Sequence, residues 1–427
     1  MRRTMRRTLP LIACVAALLL GGCGGGDDDT SSSTAASGTS PAATSPGGAQ
    51  PSGEASGRIL RVPSSYPTIQ RAVDASRPGD LVLIAPGTYR ETVEVTDEHP
   101  GIVIRGTDRN RVVLDGGDKL ADGIRVQANG VAVENLTVRR YQVNGVVWYT
   151  DGEYAAQGRY VQGWRGSYLT AYDNGLYGVY AFGVQHGRFD HVYASGQPDS
   201  GIYVGRCKPC NALVTDSVTE LNHVGIELTN AGGDVVVRDS VARRNRVGIQ
   251  VNSLTKERAA PQSGMVIERN EVADNQERGA PRGSEGFGAG IVINGGRENV
   301  VRDNRVTGHD GVGITVVDSP TYTAEDNRVD GNRLAGNRLD LALQTGDGRS
   351  AGNCFAGNRP ASSLPARLEQ RTACGRSVTI GTERYRAIAS PPQVDYRRVP
   401  APPPQPNMPG ARTAPAQPAA GTPEAQR

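Results

Sequence analysis

The sequence predicts an all-β chain wound as a single-stranded parallel β-helix, a solenoid of about 23 residues per coil. Three observations predict it. A glycine followed by alternating apolar residues recurs in Asp122-Gly123-Ile124, Asn144-Gly145-Val146, Tyr177-Gly178-Val179, Ser200-Gly201-Ile202, Val224-Gly225-Ile226, Val247-Gly248-Ile249, Ala289-Gly290-Ile291 and Val312-Gly313-Ile314. The intervals between these glycines are 22, 33, 23, 24, 23, 42 and 23 residues, the length of one solenoid coil and not of a propeller blade or helical hairpin. Between them lie second β-branched runs, such as Val131-Ala132-Val133, Val235-Val236-Val237 and Met265-Val266-Ile267, bounded by Asn, Asp and Gly. Such runs read as further short strands joined by turns. Leucine-rich repeats share the spacing, but their Leu/Asn pattern is missing.

The solenoid needs a cap at each end. At the N-terminal end, Ile69, Ala72 and Val73 fall on one face at the i, i+3, i+4 spacing of a short amphipathic helix. Arg77-Pro78-Gly79-Asp80 and a strand at 81–85 follow. Residues 66–91, YPTIQRAVDASRPGDLVLIAPGTYRE, resemble the opening of right-handed β-helix proteins of the pectin-lyase-like superfamily. That superfamily includes pectin methylesterases, polysaccharide lyases, mannuronan epimerases and NosD-type periplasmic proteins. The resemblance implies a right-handed coil and covers residues 58–375. The motif speaks for the fold and leaves the activity open.

Two segments flank the solenoid. Arg2, Arg3, Arg6 and Arg7 precede an apolar run at 9–20 and then Gly21-Gly22-Cys23. The run is too short to span a bilayer, which takes about 20 residues, and it suits a signal peptide over residues 1–22. Its end resembles a bacterial lipobox, which makes Cys23 the expected lipidation site and the membrane a partner through a lipid anchor. The expected location is outside the cell. Residues 23–57 are rich in Gly, Ser and Thr and read as a disordered tether. Residues 376–427 are rich in Pro and Ala and read as a largely disordered tail.

Cleavage changes the charge argument. The chain carries 47 basic and 44 acidic residues, and the signal segment takes four arginines and no acid with it. The remainder is near neutral, so the basic excess does not argue for nucleic acid. Nothing in the sequence calls for more than a monomer. Beyond Cys14 and Cys23, four cysteines remain, Cys207, Cys210, Cys354 and Cys374, which an exported chain would use in disulfides. Three pairings exist; proximity favours Cys207–Cys210 and Cys354–Cys374. A lone Cys-x-x-Cys is a weak zinc signal.

If the glycines stack, residues at equal offsets stack too, about 4.8 Å apart. Offsets one and three are apolar and point inward; offsets two and four point outward. Offset two reads Val147, Tyr180, Tyr203, Glu227, Gln250, Val292 and Thr315. Aromatic faces beside hydrogen-bonding groups suit sugar rings, so Tyr180, Tyr203, Glu227 and Gln250 are candidate substrate-binding residues; an aromatic ladder along a sheet is the competing explanation. Offset minus two brings Asp199, His223 and Arg246 onto three successive coils. A carboxylate beside an imidazole, with a guanidinium to hold an anionic group, is a candidate catalytic set for acid–base work; a solvated turn ladder is the alternative. Offset minus three reads Gln142, Asn222, Asn245 and Asp310, expected to stack as a structural ladder. The long intervals predict loops at 149–164, 254–263 and 276–288. No cofactor is expected and no metal site is assigned, although the resemblance leaves calcium at Asp190, Asp199 and Asp216 as a weak option.

Two functions compete. One is an envelope protein that binds polysaccharide and modifies it as a lyase, epimerase or hydrolase. The other is a non-catalytic β-helix that binds glycan or another envelope component. A NosD-like accessory role would need copper ligands, and only Met265 and Met408 remain after cleavage.

Overall fold

The computed structural model describes residues 57–254, 259–281 and 286–419. The signal segment, Cys23 and the tether to residue 56 lie outside them. The fold is the expected right-handed parallel β-helix.

Each coil contributes strands to three faces. The glycine strands stack in parallel from Val93–Val95 to Ser363–Leu364, eleven among the described residues. The other two faces form one continuous sheet, because the strands Val131–Arg139 and Val161–Tyr172 run unbroken round a corner. The chain turns there on Asn135 and Tyr168, both at positive φ, and later coils turn on Asp216 and Asp239 at φ 49° and 50°. Asn and Asp tolerate this conformation better than most residues. The core is a stack of single columns: Val146, Val179, Ile202, Ile226, Ile249, Ile291 and Ile314 have no exposed surface.

The glycines are there because of the coil next door. A Cβ on Gly225 would sit 2.6 Å from the carbonyl oxygen of Gly248 and 2.6 Å from Thr219 Oγ1. The same geometry repeats up the stack, with Gly145 against the Gly178 carbonyl at 2.5 Å. No side chain fits in that gap.

Buried amides hold the corners. Asn222 donates from both its backbone N–H and Nδ2 to Asn245 Oδ1 at 3.0 Å, and Asn245 does the same to Asn275 at 3.1 Å. The column runs Asn174, Gln197, Asn222, Asn245, Asn275, His309 and Asn337. Sequence offsets placed Gln142 and Asp310 in this column. Both are exposed and one residue out of step, and Tyr141 and His309 hold the ladder positions instead. Burial pushes the His309 pKa down to about 4, so the ring stays neutral within the ladder.

The ends are closed as expected. Thr68 caps the helix Ile69–Asp74 by accepting from the Arg71 N–H, and Ile69, Ala72 and Val73 are buried. Cys207–Cys210 and Cys354–Cys374 are disulfide-bonded.

The tail corrects the expectation of disorder. Residues 376–419 fold back and lie along the solenoid. Thr379 bridges Arg349, Tyr385 donates its N–H to Gln344 Oε1 at 2.7 Å, and Ala419 donates to the Gly130 carbonyl at 2.9 Å. Side chains of the coils take its free carbonyls. Arg246 donates to the Pro391 and Pro392 carbonyls at 3.0 and 2.9 Å, Arg109 to Pro406 at 3.1 Å, and Arg105 to Ala414 at 2.7 Å and Pro415 at 3.1 Å. Ala416 packs on an apolar patch of Leu81, Leu83, Val103 and Ala132 outside the solenoid. Composition suggested disorder because the tail buries little apolar surface of its own; its order comes from partners on the coils.

Gly225→Ala is expected to lower stability by about 2–4 kcal/mol through overpacking. Gly152→Ala, where an added Cβ meets nothing within 4 Å, should change it by less than about 0.5 kcal/mol. Urea unfolding of the two variants beside wild type measures the difference.

Candidate functional site

The outer face of the glycine sheet carries the site. Its register is the one the offsets predict: Val147, Tyr180, Tyr203, Glu227, Gln250, Val292 and Thr315 are paired in succession. The neighbouring outward column pairs Tyr149, Phe182, Gly205, Thr229, Asn252 and Asn294.

The aromatic members form one cluster. The Tyr177 and Tyr180 rings stack with centroids 4.3 Å apart, Tyr180 lies 5.2 Å from Phe182, and Tyr203 tilts against Tyr180 at 4.7 Å. Arg206 sits over the Phe182 ring at 4.8 Å. Tyr177 was missed by simple alternation. The glycine that follows it interrupts the pairing of the strand, and its ring lands beside Tyr180 on the outer face. Trp148 and Trp164 belong to the core: they are 0% and 1% exposed and pack on Phe189.

Beside the tyrosines two carboxyl groups meet. Asp199 and Glu227 lie near enough to shift each other's proton affinity, and Tyr177 near enough to feel both charges. Ser200 Oγ lies within reach of both, 3.2 Å from Asp199 Oδ1 and in close contact with Glu227 Oε2. One hydroxyl proton cannot serve both acceptors, so the pair needs a proton of its own. Thr229 Oγ1 donates to the other Glu227 oxygen at 2.6 Å.

Electrostatics agree. Burial and the charge of Asp199 push the Glu227 pKa up to about 7, and burial raises that of Asp199. Two close carboxylates out of water cannot both ionise cheaply. Burial and mutual repulsion therefore favour one proton held by the pair. Burial, then Asp199 and Glu227, hold the Tyr177 phenol far above its usual range.

The residues assigned to catalysis from the sequence do stack on successive coils: Val224 donates to the Asp199 carbonyl, and Val247 to that of His223. They do not form an open triad. His223 and Arg246 have no exposed surface. The Arg246 guanidinium is taken by the Ala280 carbonyl at 2.9 Å and by the folded-back tail. The tail and the second insertion cover this edge, and neither cover is foreseeable from coil offsets. Asp199 instead joins Glu227, a residue the sequence reading placed in binding. Gln250 stays in the outward row, half-buried, with its Nε2 donating to Asn252 Oδ1 at 2.9 Å. The three aspartates considered for calcium do not gather. Asp190 accepts from Ser167 Oγ at 2.7 Å, Asp216 from Thr215 Oγ1 at 2.9 Å, and Asp199 faces Ser200. Among the described residues no group of three His, Cys, Asp or Glu side chains is placed to hold a metal ion.

Fold and site together define a right-handed β-helix with a carboxyl pair and a tyrosine cluster on its outer face. A family model described as the right-handed beta helix region matches residues 154–334. Solved structures similar in fold include the A-module of a mannuronan C-5 epimerase from Azotobacter vinelandii, with 15% identity over 69% of this chain and 94% of that one, at a TM-score of 0.44. A mannuronic acid specific polysaccharide family 6 lyase from human gut microbiota shares 15% identity over 73% and 83% of the two chains, at a TM-score of 0.47. The Dettilon tailspike protein shares 13% over 71% and 67%, at 0.47. No curated protein matches the chain by sequence.

The pair makes stability pH-dependent. Glu227 binds its proton more tightly folded than unfolded, so its contribution is complete below about pH 4.5 and is lost as pH rises through about 7. Glu227→Gln removes that loss. Between about pH 4.5 and 8 the wild type should lose on the order of 2–3 kcal/mol relative to the variant. Chemical denaturation across that range gives the difference; parallel curves would show that Glu227 carries no raised pKa.

Proposed function

We propose that the protein binds a polysaccharide across the Tyr177–Tyr180–Tyr203 face and transfers a proton to or from it through the Asp199–Glu227 pair. The observation that carries this reading is a carboxyl pair with a proton affinity near neutrality beside stacked tyrosine rings. Tyrosine rings offer an apolar face to sugar C–H groups and a hydroxyl for the rim. A carboxyl with a pKa near 7 exchanges protons at the working pH of a general acid or base.

The geometry favours one reaction type over another. Glycoside hydrolysis uses carboxyls about 5–10 Å apart, with the scissile bond between them. Asp199 and Glu227 instead share the Ser200 hydroxyl, side by side rather than on opposite sides of a bond. Proton transfer at a ring carbon, as in lyase or epimerase chemistry, needs only one of the two to face the sugar. The two disulfides support an oxidising compartment, in keeping with an exported chain anchored at Cys23. The second reading, a binding protein without catalysis, keeps the tyrosine face and needs no proton from Glu227.

The test is a panel of neutral and uronic-acid polysaccharides. Wild type should bind at least one polymer, and Tyr180→Ala should weaken that binding about tenfold, the loss of one stacked ring. Glu227→Gln should retain binding and abolish formation of unsaturated or epimerised product. Binding unaffected by Tyr180→Ala would reject the face; equal turnover by wild type and Glu227→Gln would reject the pair as catalyst.

A further inference from the structure

We propose that residues 383–419 are a lid, which opens as a unit while the coils stay folded and thereby uncovers the His223–Arg246 edge of the candidate site.

The lid follows the border where the glycine strands begin. The Tyr385 hydroxyl lies near Gly311, Ile388 near Gly288, Pro391 and Pro392 on Arg246, and Val399 against Gly196. Those coil residues precede the glycine strands that begin at Val312, Ala289, Val247 and Ser200, and Asp199 and His223 stand in the same position before Ser200 and Val224. The lid therefore crosses one side of the Asp199–Glu227 pair. Its end reaches Gly130, near the start of the solenoid.

Its attachment differs in kind from that of a coil. A coil is paired along whole strands on both sides and fills a closed core. The lid is fastened at discrete points: Tyr385 to Gln344, Gln405 and Asn110 to each other, Asn407 to the Arg109 N–H, and Met408 to Asn135. Most of its side chains are exposed, Pro391, Val399 and Ala411 being buried exceptions. An extended proline-rich chain has no internal hydrogen bonds. Segments with few buried apolar contacts open first.

What the lid covers has chemical consequence. Arg246 holds lid carbonyl oxygens, the kind of acceptor that a carboxylate or hydroxyl of a ligand would replace. His223 is buried one coil away, where its carbonyl accepts the backbone N–H groups of Arg246 and Val247. That this edge takes part in glycan handling rests on the function proposed above; the opening of the lid does not.

The experiment uses the full chain and no polysaccharide. Native-state hydrogen exchange should show amides of 383–419 exchanging at least about a hundredfold faster than those of Val224–Thr229 and Val247–Asn252. Trypsin should cut at the exposed Arg386, Arg397 and Arg398 and leave a core that unfolds cooperatively. Asn407→Ala and Val399→Ser, which touch no coil interior, should speed that cleavage roughly tenfold. Acylation of His223 by diethylpyrocarbonate should rise about tenfold on trimming, tracking the freed edge, with His309 in the amide ladder as the unreactive reference. Exchange of the lid at the rate of the coils, unfolding on trimming, cleavage insensitive to both variants, or His223 as protected after trimming as before would each overturn the proposal. If all hold while no polysaccharide binds, the lid stands and the proposed function falls.

Discussion

One close approach per coil governs the rest of this molecule. From Gly123 to Gly290, each repeat glycine faces the carbonyl of the next coil's glycine with no room for a Cβ, as between Gly225 and Gly248. A slip of one residue would drive a side chain into that gap. It would also turn every apolar column to the outside, since side chains alternate along a strand. The buried amide ladder adds a second lock, because Asn222 and Asn245 each satisfy two donors on one oxygen. Together they fix the register from coil to coil.

The site is a consequence of that register. Tyr203 and Glu227 are neighbours because they are paired across adjacent coils. Asp199 reaches Glu227 because it stands just before the strand that carries Tyr203. The pair is then enclosed by Ser200 and Thr229, which supply hydrogen bonds but no countercharge of their own. Hydroxyls can hold a carboxyl in place without ionising it, and burial raises its pKa. A guanidinium at the same distance would have had the opposite effect, as it has at Asp80 with Arg58 and at Asp115 with Arg139, where the carboxyl pKa is lowered.

The sequence discloses what is periodic and hides what is not. Both outward columns, the inward Ile and Val columns and the capping helix can be read from spacing, since one coil dictates the next. The insertions break that inference. Trp164 stands at the end of the first expected loop, yet it lies in a strand and packs in the core against Trp148 and Phe189. The amide column slipped by one residue at Gln142 and Asp310 because corner lengths differ between coils. Tyr177 was overlooked because alternation fails at the glycine beside it. Nothing in a Pro- and Ala-rich tail signals that its partners are side chains more than a hundred residues away, such as Arg246 for Pro391.

The same contacts account for the use of arginine. The chain contains 47 basic residues, of which only Lys119, Lys208 and Lys256 are lysine. Three of the arginines, Arg105, Arg109 and Arg246, are at most 2% exposed. A proline offers a carbonyl and no N–H, so a proline-rich segment can be held through its backbone only by donors that come from elsewhere. The guanidinium of Arg105 spans the successive carbonyls of Ala414 and Pro415 from its two terminal nitrogens while its Nε donates to Glu134. Arg246 spans Pro391 and Pro392 in the same way while its Nε donates to Ala280. A lysine ammonium is a single point with no planar fork and would leave one carbonyl of each pair without its donor. The arginines inside the solenoid wall and the prolines of the tail therefore belong to one device, and each explains why the other occurs where it does.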